Sequence, residues 1–294
     1  MEKTKIKKIL INLLKGVFTL FAGYYVLSNI DMAAFGRLWR HVNYGYLLVA
    51  TVAFALSKVS SSFRLTIYWK NISVLLDERK NLKLYLLGMF YNLFLPGGIG
   101  GDAYKVWLLH KHRYAEVKPL TMAVLIDRVN GMVAILIMLL AVLFFLPLPV
   151  WVKGCIVPAI AGGYLIYCLL IRYFFPAFRE SVHTTTLYSM FVQLLQCVSI
   201  VFIMKAIGMN DHYPEWMFVF MLSSVVAVLP FTIGGLGARE LVFLYCSGWW
   251  QIDGAVAVSI SLFFYLITAL VSFSGVYYYF FPDRMAIGDN LSNR

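Results

Sequence analysis

Two carboxylates stand just behind glycine-rich turns in a mostly apolar chain, and Arg239 adjoins the second of them. The first turn, Leu95 to Lys105, reads LPGGIGGDAYK. Pro96 ends one helix, Gly97, Gly98, Gly100 and Gly101 follow, and Asp102 starts the next. The second, Leu229 to Glu240, reads LPFTIGGLGARE and carries Gly234, Gly235, Arg239 and Glu240. Both contain LPxxIGG, offset by 134 residues (229 − 95). Asp102 is placed to cap its helix, since a carboxylate there accepts backbone N–H bonds and suits the helix dipole. Glu240 holds a similar place in the second turn. At membrane depth either carboxylate needs a cation, and Arg239 and Arg128 are the obvious ones.

Two kinds of chemistry fit these residues. In one, the ion pairs only lock the turns together. In the other, the arginines bind an anionic head group, for which the planar guanidinium is suited, and the carboxylates orient them. Exposed backbone N–H groups of Gly100, Gly101, Gly234 and Gly235, at two helix starts, also favour an anion. Asn92, one turn before the first break, either caps freed carbonyls or contacts substrate. Lys105 either contacts phosphate or snorkels to the interface. Arg64 reads as an interface anchor or a head-group contact. Asp127, Arg128 and Asn130 cluster at the start of a span, where one of them can simply pair with a neighbour.

These residues must be positioned by a membrane protein. The chain of 294 residues is 61% hydrophobic and 13% charged, far from a soluble domain. The net charge of +11 marks cytoplasmic loops and anionic lipid heads rather than nucleic acid, for which no motif is present. Cys155, Cys168, Cys197 and Cys246 form no CxxC pair and read as small core residues. The five histidines fall in loops or at span ends, which speaks against an intramembrane metal. No Walker A sequence occurs, and no βαβ pattern surrounds the glycines, so no nucleotide or other cofactor is implied. No motif sets an oligomeric state.

Spans of about 20 apolar residues are predicted at 9–28, 44–63, 120–146, 150–172, 186–207 and 252–281. The basic start (Lys3, Lys5, Lys7, Lys8) resembles a signal peptide, but no small-x-small site follows, so the first span reads as uncleaved. Segments 82–96 and 102–110, and again 214–230 and 238–250, are too short to cross comfortably. They read as re-entrant helix–turn–helix hairpins; the alternative is that each limb spans with tilt or bilayer thinning. The predicted fold is an all-α polytopic membrane protein of two inverted repeats, each of three spanning helices plus a re-entrant hairpin. It forms one domain over 1–294: repeat one is about 1–148, repeat two about 149–283, and 284–294 a short polar tail. Three crossings per half invert the second half. With the N-terminus inside, the basic loops at 64–83, 105–118 and 172–185 all fall inside, as the positive-inside rule requires. The hairpins then enter from opposite faces. Broken helices at matching places in two halves are the sequence pointer to a transporter's binding site.

The run from Asn92 through LPGGIGG to Asp102 and Lys105, with Asp127–Arg128 and the stretch from Pro230 to Glu240, resembles the lysylphosphatidylglycerol synthase transmembrane-region family. This is the flippase-like membrane domain also found in multiple peptide resistance factor proteins. Lys105 stands where that pattern more often has Arg. The resemblance implies lipid handling in the inner membrane of a prokaryote, and it implies no synthase activity, because no aminoacyl-transferase segment follows the last span. The expected function is a flippase moving an anionic lipid, either a phospholipid or a polyprenyl-phosphate-linked lipid. The alternatives are a non-catalytic partner of a lipid-modifying or glycosyl-transferring enzyme, a small-solute carrier, and a lipid-phosphate enzyme. The last would need a nucleophile–base pair or metal cluster that the sequence does not display.

Overall fold

The computed structural model describes residues 24, 36, 38–94, 99–228, 237–285 and 287. The first predicted span apart from residue 24, Gly97 and Gly98, Gly234 and Gly235, and the polar tail beyond 287 lie outside the described residues. Among the described residues the chain is helical throughout, with no strands. The helices are α1 (Tyr44–Asn71), α2 (Glu78–Phe94), α3 (Gly100–Lys111), α4 (Val117–Leu143), α5 (Val150–Phe174), α6 (Val182–Ala206), α7 (Tyr213–Val228), α8 (Ala238–Ser247), α9 (Gly254–Phe273) and α10 (Val276–Phe280). By length and apolarity α1, α4, α5, α6 and the combined segment Gly254–Phe280 can each cross a bilayer. The other four have 17, 12, 16 and 10 residues (α2, α3, α7, α8). At about 1.5 Å per residue all four fall short of a core about 30 Å thick.

Three boundaries differ from the sequence reading. Helix α1 does not end at Arg64 but runs on to Asn71, because Arg64 is buried against Asp127 and so needs no interface. Lys105 lies inside α3, so the basic connection before α4 shrinks to residues 112–116. The last span breaks after Phe273 and resumes at Val276. At that break a Cβ on Gly275 would lie 2.2 Å from the Leu86 carbonyl oxygen, so only glycine lets α2 pack this closely. Of the cysteines, Cys197 and Cys246 are buried as expected, whereas Cys155 faces outward on α5.

Helices α1 and α6 pack along most of their length and run antiparallel. The Asn43 amide, just before α1, donates to the Ala206 carbonyl at the end of α6 (2.9 Å). At the other end Asn71 donates to Ser181, just before α6. Asn43 also caps α1, accepting from Gly45 N–H at 3.0 Å. Helix α4 packs on α6 and α7, and α9 packs on α1 and α2. Helix α5 lies at the periphery, exposing Trp151, Leu165, Ile166, Leu169 and Phe174, as a lipid-facing helix would.

The core is divided. One apolar cluster gathers the start of α1 (Ala50, Phe54), the end of α6 (Ile200, Ile203), α7 (Trp216, Phe220), Phe243 of α8 and Phe264 of α9. The other gathers the end of α1 (Leu65, Trp69), Leu84 of α2, Leu109 of α3, the start of α4 (Leu120, Ile126) and Val182 of α6. Each of α1, α4 and α6 changes cluster midway. The stretch between is polar in all three: Ser57 to Arg64, Asp127 to Asn130, and Thr185 to Gln196. A polar layer therefore lies between two greasy ends, and each pair of short helices belongs to a different end.

Candidate functional site

Helix α3 begins at Gly100 with Ile99 as its N-cap, whose apolar side chain makes no capping bond. Asp102 is the third residue of the helix, and its carboxylate points to cations instead of to backbone amides. Oδ1 accepts from Lys105 Nζ at 2.9 Å, and Oδ2 accepts from Arg128 Nε. The capping role expected for Asp102 is therefore not the one its carboxylate plays. Lys105 does not snorkel: it is buried, with its ammonium also over the Tyr85 ring at 4.4 Å. Asn92 caps an amide rather than a carbonyl, its Oδ1 accepting from Gly101 N–H at 2.8 Å across the break. That bond joins α2 to α3. The two helices also touch backbone to backbone: a Cβ on Gly101 would lie 1.9 Å from Gly88 O.

Arg128 keeps 35% of its side chain exposed, and the exposed part faces a cavity. This cavity, about 530 Å³, lies between α3 and α4. Ile99, Val106, Trp107, Val124 and Leu125 line it, with Asp102 and Arg128 as its charged residues. Ile99, Trp107 and Leu125 in its wall are each about half exposed, so the cavity is open to the surroundings rather than enclosed. Apolar walls with one cation among them can hold an acyl chain and its anionic head.

Asp127 does not join Arg128. It turns the other way, accepting from Arg64 Nε at 2.7 Å. Arg64 Nη1 donates to Ser189 Oγ at 2.6 Å, and Ser189 donates to Asn130. Asn130 Nδ2 reaches Tyr167, Thr185 and Thr186 at 3.0–3.2 Å. This network ties α1, α4, α5 and α6 through the polar layer. Arg64, read as an interface residue, is thus an interior one.

The second carboxylate is held differently. Helix α8 starts after Gly237, whose φ of +87° favours glycine. Glu240, again the third helical residue, reaches back to accept from Gly237 N–H at 2.7 Å and takes Ser261 O–H from α9 at 3.0 Å. Neither oxygen is bonded to a cation. Arg239 lies with its guanidinium 5.7 Å from the Phe220 ring and 5.1 Å from the Phe264 ring, and its buried Nη1 has no hydrogen-bond partner.

The structure thus joins Asn92, Gly101, Asp102, Lys105 and Arg128 in one cluster. Asp127 belongs to a neighbouring network, and Arg239 with Glu240 lies at the other end; Gly234 and Gly235 fall outside the described residues. One interior residue carried no mark in the sequence reading. Lys58, midway along α1, stands over the Phe54 ring at 4.5 Å. The signal was there, in the serines at 57, 60, 61 and 62 that give this stretch of α1 a polar face. Among the described residues no three His, Cys, Asp or Glu side chains converge as a metal site.

The sequence profile of the lysylphosphatidylglycerol synthase TM region matches residues 12–275. No curated protein matches the chain. The profile covers most of the length, and the chain belongs to the lysylphosphatidylglycerol synthase TM-region family, as the motifs implied.

Proposed function

We propose that this chain is a non-enzymatic flippase. It moves an anionic lipid, a phospholipid or a polyprenyl-phosphate-linked lipid, between leaflets by alternating access. The observation that carries the reading is the open apolar cavity with Arg128 in its wall, in a membrane protein of a family named for a lipid. A lipid enters with its tails still in the bilayer, and Arg128 takes the phosphate while Asp102 fixes the guanidinium.

Two inverted repeats with re-entrant hairpins would supply the motion, one half rocking against the other. Three features support that arrangement. Helices α1 and α6, which hold the same place in their halves, are antiparallel. Packing is reciprocal across the halves: α4 lies on α7 as α9 lies on α2, and α3 on α4 as α8 on α9. The two short-helix pairs, α2–α3 and α7–α8, belong to opposite apolar clusters.

The test is translocation of fluorescent phosphatidylglycerol and of a polyprenyl phosphate in proteoliposomes. The wild-type chain is expected to move at least one of them, and Arg128→Gln to slow it by about tenfold or more, the effect of losing one charge-assisted bidentate contact. A wild-type chain that moves neither, while supporting a co-purifying lipid enzyme, would overturn the proposal in favour of a non-transporting partner.

A further inference from the structure

Lys105 is the member of the Asp102 cluster that the cavity does not touch. It is not in the cavity wall, its side chain is only 6% exposed, and it lies between α2 and α3. The sequence of α2 makes room for it. A Cβ on Gly88 would come within 2.6 Å of Lys105 Cε, so the lysine stem crosses α2 where a side chain is missing. One turn earlier on α2, the Tyr85 ring faces the ammonium at 4.4 Å. The Asn92 bond to Gly101 and the Gly88–Gly101 backbone contact hold the two helices together at this level. A buried lysine is costly unless it is matched, and its match is Asp102 at 2.9 Å.

The consequence falls on Arg128. Asp102 gives one oxygen to each cation: Oδ1 to Lys105 and Oδ2 to Arg128 Nε. A carboxylate with no other partner readily pairs with a guanidinium through both oxygens, in two parallel N–H···O bonds. A phosphate uses the same fork-to-fork geometry on arginine. With Oδ1 held by Lys105, Asp102 orients Arg128 without closing on it. Asp102 and Lys105 are three residues apart on α3, so the hold is built into one helical turn.

We infer that Lys105 is a positioning residue for lipid binding: by occupying Oδ1 it stops Asp102 from competing with the lipid phosphate for the Arg128 guanidinium. Lys105 acts through Asp102 and touches no lipid. The inference rests on the reading of Arg128 as the phosphate ligand and extends it to a residue outside the cavity.

The experiment is equilibrium binding of fluorescent phosphatidylglycerol and of a polyprenyl phosphate to the full chain in detergent, where no step depends on translocation. Lys105→Met is expected to weaken the better-bound lipid about tenfold, the worth of one charge-assisted contact. Adding Asp102→Asn to Lys105→Met removes the competing carboxylate and leaves neither buried charge of α3 behind. That double variant should recover most of the lost affinity, which a residue that only supports the fold would not allow. Asp102→Asn alone should bind no tighter than the wild type, because Lys105 already keeps the carboxylate from competing. Lys105→Met binding as tightly as the wild type, or a double variant no better than Lys105→Met, overturns the inference. So does Asp102→Asn alone binding more tightly than the wild type, which would mark a general field of charge instead of a hold on one oxygen. Arg128→Gln binding as tightly as the wild type would defeat the reading of Arg128 on which this rests. Weakened binding by Arg128→Gln with Lys105→Met unchanged would defeat the positioning role alone. The full pattern in a protein that moves no lipid would uphold Lys105 and defeat the transport reading.

Discussion

Asp102 and Glu240 occupy the same position, the third residue of a short helix that follows a glycine-rich turn, yet they keep different company. Asp102 is clasped by Lys105 and Arg128, whereas Glu240 holds an amide and a hydroxyl and leaves Arg239 to its aromatic neighbours. Part of the reason is spacing. The turns are 134 residues apart but the carboxylates are 138 apart (240 − 102), so the second turn carries four extra residues before its acid. Those residues bring in Gly237, and its amide becomes the partner of Glu240. The other part is the next span: α4 offers Arg128 to the first turn, and α9 offers Ser261 to the second. One end of the molecule is closed by charge; the other keeps a cation available.

The largest expected effect falls on the charged end. Asp102→Ala leaves Lys105 and Arg128 without their shared counter-charge and is expected to cost about 3–5 kcal/mol. Glu240→Gln removes an uncharged-partner contact and should cost only about 0.5–2 kcal/mol. Thermal unfolding of the purified variants in one detergent ranks them, and equal losses would erase the distinction between the two ends.

A smaller effect separates glycines that touch backbone from those that touch side chains. Gly101→Ala drives a methyl into the Gly88 carbonyl and should destabilise by about 1–3 kcal/mol. A Cβ on Gly131 meets Arg64 Nη1 at 3.6 Å, an ordinary contact, so Gly131→Ala should be close to neutral. The same unfolding assay sharpens the comparison: only the first variant should loosen the α2–α3 pair. Ser261→Ala removes one hydroxyl from Glu240 and should cost about 1 kcal/mol. A loss as large as that of Asp102→Ala would mean Glu240 depends on α9 for its charge balance.

Sequence alone made much of this legible. Spans 44–63, 120–146, 150–172, 186–207 and 252–281 correspond to α1, α4, α5, α6 and Gly254–Phe280, because apolar length is set by bilayer thickness. The breaks between α2 and α3 and between α7 and α8 were marked by Pro96, Pro230 and their glycines. What escaped was direction. A charged residue in an apolar run gives no sign of whether it faces lipid, water or a buried partner 63 positions away, as Arg64 does with Asp127. Ending the helix at Arg64 put Lys58 near an interface, where a lysine attracts no notice; the helix in fact carries it into the polar layer. Likewise Asp102 matched a cap by position, and only the approach of α4 turned its carboxylate toward Arg128.

The most direct measurement is side-specific thiol labelling in a background without the four native cysteines, with single cysteines at Arg113, after the first short-helix pair, and at Gln251, after the second. Opposed hairpins place the two loops on opposite faces. An impermeant reagent should then label position 251 from outside intact cells and position 113 only in inverted vesicles. Labelling of both from the same face would contradict the two-sided arrangement on which the account rests.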